Sequence, residues 1–457
     1  MRDQRTTGFV LLASICAACA TIEVDPSAEQ QEARGLIRDT TGRADVFDPS
    51  AAPVAPEEID AALADGLGLD EALRLALLDS RRLQAGFLGL GVARADFVQA
   101  GLLRNPSLGV GFLIPSNGGR PQLSADLVQS LVDLWELPER QAVAEGALQQ
   151  QVFELSRFAG ELVVDTKDAY FESVGARDLL AIARENARVA QAAFEAVRKQ
   201  VEGGVATAIE EHLARSQALG AELAVRSAER ESVGARRRLA ALLSIDVDLM
   251  EVELTDALPE PAPRALDREA LVARSRSTRL DVRAAGAALT AAEAQLALER
   301  RRTTPNVDVG LALERPEAGS AVDLLAGPGA TIELPIFDRN QAQVRRAEFR
   351  RDQLGKEHEA LVGEVGQQVR AAVDRAVSSA RTAQFVAEDL LPQAERGAAL
   401  ARTAFELGHT TALSFLESQR AALQARRSRI EALLDAARTQ VDVERVVGAS
   451  LTVLDPR

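Results

Sequence analysis

The chain carries two copies of one unit, and this duplication restricts the available folds more than any other feature of the sequence. Residues 106–111 (PSLGVG) recur as residues 305–310 (PNVDVG), 199 residues later. Weaker matches begin at residues 71 and 204, with offsets of 198 and 204. A steady offset with preserved order indicates an internal repeat. We therefore divide the chain into a first repeat at 67–255 and a second repeat at 256–457.

Each repeat switches between two hydrophobic periods. Helical spacing covers residues 69–104 and 266–302, and both stretches end before an X-Pro pair, which disfavours helix. Apolar and polar residues then alternate, which predicts two hairpins with strands at about 107–115, 122–131, 306–314 and 329–336. Helical spacing returns at unusual length and predicts a long helical pair in each repeat, at 139–245 and 338–449. The predicted fold class is therefore mainly α with a small β part.

One long helix has the spacing of a coiled-coil seam. Its apolar residues step by three and four positions: Val362, Val365, Val369, Ala372 and Ala376. Such a pattern predicts a narrow apolar stripe that packs against a neighbouring helix.

Composition agrees with long helices and argues against a nucleic-acid partner. Aromatic residues make up only 4% of the 457 residues, and the formal net charge is -15. Phosphate binding needs a basic face that releases counterions, so we predict no nucleic-acid partner.

The N-terminus has the features of an export signal. Two arginines precede a short apolar stretch and then the sequence CAAC at 16–19. This order predicts a signal peptide at 1–18, and the small residues before Cys19 resemble a bacterial lipoprotein box in which Cys19 carries the lipid. An ordinary cleaved signal peptide is the alternative. Residues 19–66 are rich in Pro, Ala, Asp and Glu without sustained period, which predicts a tether or an extended wrap.

Four strands cannot close a barrel, and open sheet edges are not tolerated in lipid. A membrane barrel needs at least eight strands, so two or three copies of the chain are the smallest solutions, and three copies give twelve strands. Alternation assigns these apolar side chains to the lipid side: Leu108, Val110, Phe112, Val307, Val309 and Leu311. It assigns these acidic side chains to the lumen: Asp126, Asp308 and Glu333. A polar lumen implies a water-filled passage.

The junction motif and the later segments resemble one known family. The motif LPIFDRN at 334–340 stands before the long second-repeat helix, LWEL at 134–137 is its first-repeat counterpart, and FELG at 405–408 is followed by LESQR at 416–420. In this order the motifs resemble the TolC-type outer membrane efflux protein family over residues 67–449. The resemblance implies a homotrimer whose 12-stranded β-barrel in outer membrane lipid continues into an α-helical coiled-coil tunnel in the periplasm. It also implies a periplasmic adaptor (membrane fusion protein) and an inner membrane pump as partners.

The strand-to-helix junction has a mechanical interpretation. We predict that Pro335 ends strand pairing, that Phe337 is buried against the barrel mouth, and that Asp338 or Asn340 caps the long helix. Trp135 and Glu136 match Phe337 and Asp338 at an offset of 202.

The turns between the paired long helices form two hairpin tips. Gly204 and Gly408 can supply the positive φ that reverses a helix, and Thr207 and Thr411 can cap the returning helices. The resemblance adds a contact with the adaptor for six tip residues: Gly203, Gly204, Val205, Leu407, Gly408 and Thr410.

Catalytic and metal sites have little support in this sequence. Its three histidines, His212, His358 and His409, are isolated, and their spacing suggests neither a metal site nor a triad. We predict no enzyme activity, no cofactor and no bound metal. The function implied is a passive outer membrane conduit for the export of small molecules. The channel of a type I protein secretion system and a periplasmic structural coiled-coil protein remain as alternatives.

Overall fold

A computed structural model of the protein describes residues 23–52, 55–114, 116, 121–245, 249–261, 267–315, 324–407 and 409–454. The predicted signal peptide and Cys19 lie outside these residues, and so do Gly408 and most of the two predicted strand-connecting turns. Among the described residues, none of the helices combines the length and apolarity that crossing a membrane as a helix requires.

The described part of the chain is mainly helical with one four-stranded sheet, which confirms the predicted fold class at this level. As far as the end of the first repeat the elements are α1 (Ser27–Thr41), α2 (Pro56–Ala64), α3 (Leu69–Asp79), α4 (Arg81–Ala100), β1 (Ser107–Leu113), β2 (Gln122–Ser130), α5 (Asp133–Glu202) and α6 (Ala208–Leu243). In the second repeat they are α7 (Arg268–Thr278), α8 (Leu280–Arg301), β3 (Val307–Arg315), β4 (Leu325–Ile332), α9 (Gln341–Phe385), a π-helical turn (Val386–Leu390), α10 (Leu391–Glu406), α11 (Ala412–Val447) and α12 (Leu451–Leu454).

The segment predicted as a tether or an extended wrap contains two helices, so these residues are not extended. Ala33 and Ile37 of α1 lie one turn apart and are fully buried. Ser156 of α5 donates a hydrogen bond to the Ala33 carbonyl oxygen, and Arg94 of α4 pairs with Glu29 at 3.0 Å. Two buried apolar residues are too few to give a sustained period in the sequence. They are nevertheless enough to hold the short helix α1 against the long helix α5.

The two long helical pairs differ in their regularity. α5 begins at Asp133, six residues before the predicted start, and runs for 70 residues. Pro138 lies in its second turn, where the missing N–H removes a single helical hydrogen bond. The corresponding run of the second repeat is interrupted by the π-helical turn, in which the Leu391 N–H donates to the Val386 carbonyl oxygen. Pro392 follows directly, and its missing N–H explains why the helix widens at this point.

The predicted coiled-coil seam is confirmed. Val365, Val369, Ala372 and Ala376 of α9 are buried and form one hydrophobic cluster with Val443 and Val447 of α11. Val362 packs against the margin of this cluster.

The long helices form two layers, one near the sheet and one further from it, and each layer has two outer helices. α5 lies at the centre and packs against α4 and α8 near the sheet, and against α6 and α11 further from it. α9 packs against α8, and α10 packs against α11. The layer near the sheet therefore has the order α4, α5, α8, α9, and the distant layer has the order α6, α5, α11, α10.

A buried tyrosine ties α5 to the loops on either side of it. The Tyr170 hydroxyl lies 2.9 Å from both the Leu67 carbonyl oxygen and Asp256 Oδ2, and it accepts a hydrogen bond from the Asp256 N–H. Its side chain is fully buried, and this burial raises the pKa of Tyr170 to about 12.

The raised pKa predicts alkaline sensitivity. The unfolded chain loses the tyrosine proton near pH 10, whereas the folded chain keeps it to about pH 12. Stability from this group is therefore complete below pH 10 and falls between pH 10 and 12. We expect Tyr170→Phe to lower the free energy of unfolding by about 1–2 kcal/mol at neutral pH and to flatten this alkaline decline. Because the chain has a single tyrosine, tyrosinate absorbance reports this group alone, and titration near pH 10 in the folded protein would contradict the assignment.

Candidate functional site

The sheet is an antiparallel meander that joins the two repeats and leaves both of its outer strands unpaired. Its order is β1-β2-β3-β4, and β2 pairs with β3 across the repeat boundary. β1, β2 and β3 agree with the predicted strands within two residues. β4 lies four residues earlier than predicted. Gly327-Pro328-Gly329 has the residue types of a turn, yet all three residues lie in the strand.

The direction of the backbone groups along the open edges follows from two hydrogen bonds. The Leu131 N–H donates to the Val307 carbonyl oxygen, and the Glu333 N–H donates to the Asn306 carbonyl oxygen. Because bonded and non-bonded pairs alternate in antiparallel sheets, even-numbered residues of β1 and β4 direct their backbone groups away from the sheet. These residues are Leu108, Val110 and Phe112 on β1, with Ala326, Pro328, Ala330 and Ile332 on β4. Pro328 thus lacks its N–H at a position where no bond within the sheet is lost.

One face of the sheet is apolar and exposed. Leu108, Val110 and Phe112 are 69%, 70% and 59% exposed. The register places them on the same side as Leu127 and Leu311, which are also exposed. Val307 and Val309, the other two residues predicted to face lipid, lie on this side of the sheet as well. A contiguous apolar surface of this kind indicates contact with lipid or with another protein.

The other face is polar and acidic. The register places Asp126 and Asp308 on it, together with Glu314, which sequence analysis missed. Glu333, the third predicted lumen residue, follows β4 directly and continues the same parity. Among the described strand residues, no lysine or arginine shares this face. Gly109 lies opposite Asp126, and a Cβ atom at Gly109 would come within 2.5 Å of Asp126 Oδ1, so the absence of a side chain there makes room for the carboxylate.

The first-repeat junction is built around a buried carboxylate rather than a loop. Trp135 and Glu136 lie inside the first turns of α5 and not between strand and helix. Asp133 is fully buried; its Oδ2 accepts the Arg104 N–H at 2.8 Å and its Oδ1 accepts from Arg140 Nη1 at 2.8 Å. Arg140 also donates to the Leu102 carbonyl oxygen. Asp133 therefore fixes the chain entering β1 against the helix that leaves β2.

The second-repeat junction is an exposed loop. β4 ends at Ile332, and the last pairing hydrogen bond comes from the Glu333 N–H, which donates to the Asn306 carbonyl oxygen. Residue 335 is the next position whose N–H would point toward β3, and Pro335 has no N–H to donate. Phe337 is 92% exposed and is not covered by the sheet or the helices of its own copy. Asn340 occupies the N-cap position of α9 but makes no capping bond, and Asp338 accepts the Asn340 N–H instead. The predicted cap is therefore wrong.

A polar chain links the two junctions. Asn340 has φ 59° and turns its amide group to Glu299, donating to Oε2 at 2.7 Å and to the carbonyl oxygen at 2.9 Å. Arg302 lies 3.0 Å from Glu299 Oε1 and 3.5 Å from Glu136 Oε2. Glu136 and Glu299 are both buried, so Arg302 compensates two carboxylates from different repeats. The structure thus brings together Glu136 and Asn340 through residues that sequence analysis did not single out.

Both hairpin tips have the predicted helix caps. The Thr207 side chain accepts the Glu210 N–H, and Glu210 accepts the Thr207 N–H in return. The Thr207 backbone hydrogen bond lowers the pKa of Glu210, and the Thr207 hydroxyl lowers it further. Thr411 accepts the Ser414 N–H in the second tip. Gly204 has φ 71°, as predicted.

The tips present apolar side chains to solvent. Val205 and Leu407 are 81% and 65% exposed. Gly203 lies in the first turn and is also exposed, whereas Thr410 is partly covered. In the second tip, Phe405 stacks on Phe415 with ring centroids 5.1 Å apart, which holds α10 against α11.

Metal-binding geometry is not found in the part of the chain that the structure describes, since no three His, Cys, Asp or Glu side chains converge. The three histidines lie on α6, α9 and the second tip, in different parts of the sequence.

Comparison with known proteins gives consistent matches over most of the chain. The profile of the outer membrane efflux protein family matches residues 72–244 and 271–449, one match for each repeat. The cobalt-zinc-cadmium resistance protein CzcC of Cupriavidus metallidurans is 28% identical over 408 residues, 87% of this chain and 93% of that protein. The pyoverdine export outer membrane protein OpmQ of Pseudomonas aeruginosa is 27% identical over 401 residues, 80% of this chain and 83% of that protein.

A solved structure shares the fold. The Campylobacter jejuni CmeC outer membrane channel superposes with a TM-score of 0.73 and covers 88% of this chain and 89% of its own. At 15% identity this likeness concerns the fold alone.

Proposed function

Because the chain belongs to the outer membrane efflux protein family, as the sequence motifs indicated, we propose that it is the outer membrane channel of a tripartite efflux system. In this role it is a passive conduit that carries small molecules from the periplasm or the pump to the outside. CzcC and OpmQ have similar identity to this chain but are named for metal resistance and pyoverdine export. Such different names favour a conduit that accepts unlike cargo over a selective binding site.

The observation that carries the proposal is the pair of open edges on the sheet. β1 and β4 both direct unpaired backbone groups outward while the face between them is apolar. In lipid these groups must be paired, and β4 of one copy can pair with β1 of the next. This contact joins two different edges, so repeated copies form a ring when the rotation between them closes. We propose that the ring closes at three copies, which gives twelve strands.

The helix layers support the same ring. Their outer helices are α4 and α9 near the sheet, and α6 and α10 further away. Exposed apolar side chains lie on these outer helices: Leu88 and Val92 on α4, Leu219 and Leu223 on α6, and Leu400 on α10. A neighbouring copy would cover them and extend the barrel into a helical tunnel.

The experiment that tests the proposal is purification from membranes followed by measurement of oligomeric state and conductance. We expect the full-length chain in the outer membrane fraction, a detergent-stable trimer, and discrete conductance steps in planar bilayers. A monomer without conductance would contradict the proposal.

The acidic face of the sheet predicts cation preference. Neutralising three of its carboxylates, as Asp126→Asn, Asp308→Asn and Glu314→Gln together, should lower the ratio of cation to anion permeability by roughly tenfold, because charged walls concentrate counterions. Reversal potentials in a salt gradient measure this ratio. Glu23→Gln, Glu57→Gln and Glu58→Gln together remove the same charge from the N-terminal segment and should leave the ratio unchanged; an equal change in both variants would place the selectivity elsewhere.

We further propose that the hairpin tips contact the periplasmic adaptor of the inner membrane pump. The exposed Val205 and Leu407 would supply the apolar contact, with Gly203, Gly204, Gly408 and Thr410 shaping the turns. A photo-reactive residue introduced at Val205 or Leu407 in living cells should cross-link to an adaptor, whereas one at Val24 should not. Val24 is 42% exposed in the N-terminal segment and serves as the matched apolar control. Cross-links only to other copies of the chain would assign the tips to self-contact.

We also propose that a lipid attached to Cys19 anchors the protein to the outer membrane. α1 begins at Ser27, and its Glu29 pairs with Arg94 in the C-terminal half of α4, the helix that leads into β1. Cys19 is eight residues before Ser27 in the sequence, and we propose that it carries the lipid of an outer membrane anchor. Metabolic labelling with palmitate, lost in Cys19→Ala, tests the attachment.

A further inference from the structure

We infer that the start of α9 carries a binding surface for the anionic phospholipids of the inner leaflet of the outer membrane. The inference rests on the proposed membrane channel and adds a partner to it. The surface, which we call the interfacial patch, consists of Phe337, Arg339, Arg346, Phe349 and Arg350.

The patch continues the lipid-facing side of the sheet. Leu334 keeps the parity of Ala330 and Ile332 on the apolar face, and it is 69% exposed. Phe337 then stands 92% exposed in the loop, and Phe349 is 73% exposed on the helix below it. Aromatic side chains placed where an apolar band ends are typical of a membrane–water interface.

The arginines of the patch are free to bind a ligand. Arg339, Arg346 and Arg350 are exposed. Among the described residues none of these three has a carboxylate partner, whereas the neighbouring Arg345 and Arg351 pair with Glu348 and Asp352. Arg346 and Arg350 lie one turn apart on α9, and Arg339 lies two residues before the helix begins, on a chain whose net charge is -15. Guanidinium groups bind phosphate oxygens with two parallel hydrogen bonds.

The positions of Arg346 and Arg350 along α9 match the expected depth of the lipid headgroup layer. Arg346 and Arg350 lie five and nine residues after Gln341, the first residue of α9, which places them about 8 and 14 Å along the helix. Side chains on a helix lean toward its N-terminus, and this end of α9 adjoins the sheet. Their guanidinium groups can therefore reach back into a headgroup layer about 5–8 Å thick.

The duplication provides an internal comparison. The matching stretch at 137–149, LPERQAVAEGALQ, contains one arginine and two glutamates. That arginine, Arg140, is largely buried and bound to Asp133. The second-repeat stretch at 339–351, RNQAQVRRAEFRR, contains five arginines and one glutamate. Only the second repeat has acquired the basic surface, so the basic surface is not required by the helical junction as such.

A neighbouring copy offers little charge to these arginines. In the proposed ring, α4 of the next copy lies beside α9. α4 carries a single carboxylate, Asp96, and exposes the apolar Leu88 and Val92. Anionic lipid therefore complements the patch better than a second copy of the chain.

The test compares lipid retention by matched variants. We would reconstitute the full-length protein in phosphatidylcholine bilayers with and without phosphatidylglycerol, extract it gently, and count bound lipids by native mass spectrometry. Each arginine near an anionic surface contributes about a fivefold preference. Arg339→Gln, Arg346→Gln and Arg350→Gln together should therefore lower phosphatidylglycerol enrichment at least tenfold. The three lysine substitutions at the same positions should largely preserve it, and higher ionic strength should weaken it in the wild type.

The control changes three exposed arginines of α6 that have no carboxylate partner within the described ranges, as Arg215→Gln, Arg230→Gln and Arg237→Gln. It should leave enrichment unchanged. The inference is overturned if the glutamine variant retains phosphatidylglycerol as the wild type does, or if both variants lose it equally. It is also overturned if the trimer of the glutamine variant dissociates in both bilayers, which would make the patch a subunit contact. Absence of a trimer in the wild type would instead contradict the proposed function.

Discussion

Val110→Pro should prevent assembly of the trimer while leaving the four-stranded sheet of each copy intact. The Val110 N–H points away from β2, so proline removes no bond within the sheet. In the proposed ring this N–H pairs with β4 of the next copy. A hydrogen bond in an apolar medium is worth about 4–6 kcal/mol, and lipid offers no water in exchange. This loss occurs at every contact between neighbouring copies in the ring.

Two matched variants separate this effect from damage to the strand. Val110→Ala shortens the side chain but keeps the N–H, so it should still yield trimer. Gly111→Pro removes an N–H that points toward β2, and it should destabilise the single copy as well. Gel mobility without heating and mass in detergent measure assembly. Wild-type amounts of trimer from Val110→Pro would show that β1 is not a seam between copies.

The strand faces were predictable because the two-residue period depends only on the order of residues. Asp126 and Asp308 share a face in the structure because both keep that parity through the hydrogen-bonded register. The limits of β4 were not predictable in the same way. Gly327-Pro328-Gly329 has the local chemistry of a turn, and only the position of the strand at the edge of the sheet allows Pro328 within it.

The junctions escaped prediction because their contacts join distant parts of the chain. Asn340 reaches Glu299, and Arg302 reaches Glu136 in the other repeat. The hydrophobic period of a short stretch of sequence gives no information about contacts between residues so far apart in the chain. One signal was present: Asp133 follows an alternating strand directly, where an ionised group must find partners or remain in water.

The π-helical turn shows how the long second-repeat helical run accommodates a proline. Pro392 is the one proline within the long second-repeat run from 341 to 406. Because the helical period continues on both sides of it, the sequence predicts a long helical run in which Pro392 is a strong breaker. The structure accommodates the proline by widening a single turn between two α-helical segments.

Asp133→Ala should be the most destabilising single substitution at the first junction. Its side chain is fully buried, and Arg140, whose side chain is only 16% exposed, would lose the carboxylate that compensates its charge. Removing one partner of a buried ion pair lowers the free energy of unfolding by about 3–5 kcal/mol. The Arg104 N–H would lose its acceptor as well. Trp135, the single tryptophan of the chain, lies two residues away, so its fluorescence during denaturant unfolding in detergent reports this region directly.

The second junction supplies the control for this prediction. Asp338 is exposed and accepts only the Asn340 N–H, so Asp338→Ala should lower the free energy of unfolding by about 1 kcal/mol or less. Asp133→Asn keeps an acceptor for the Arg104 N–H but removes the charge, and it should fall between the two alanine variants. This order follows because the two junctions occupy equivalent places in the repeat but differ in burial. Equal losses from Asp133→Ala and Asp338→Ala would mean that water reaches Asp133, and that the ion pair with Arg140 does not anchor the barrel to its helices.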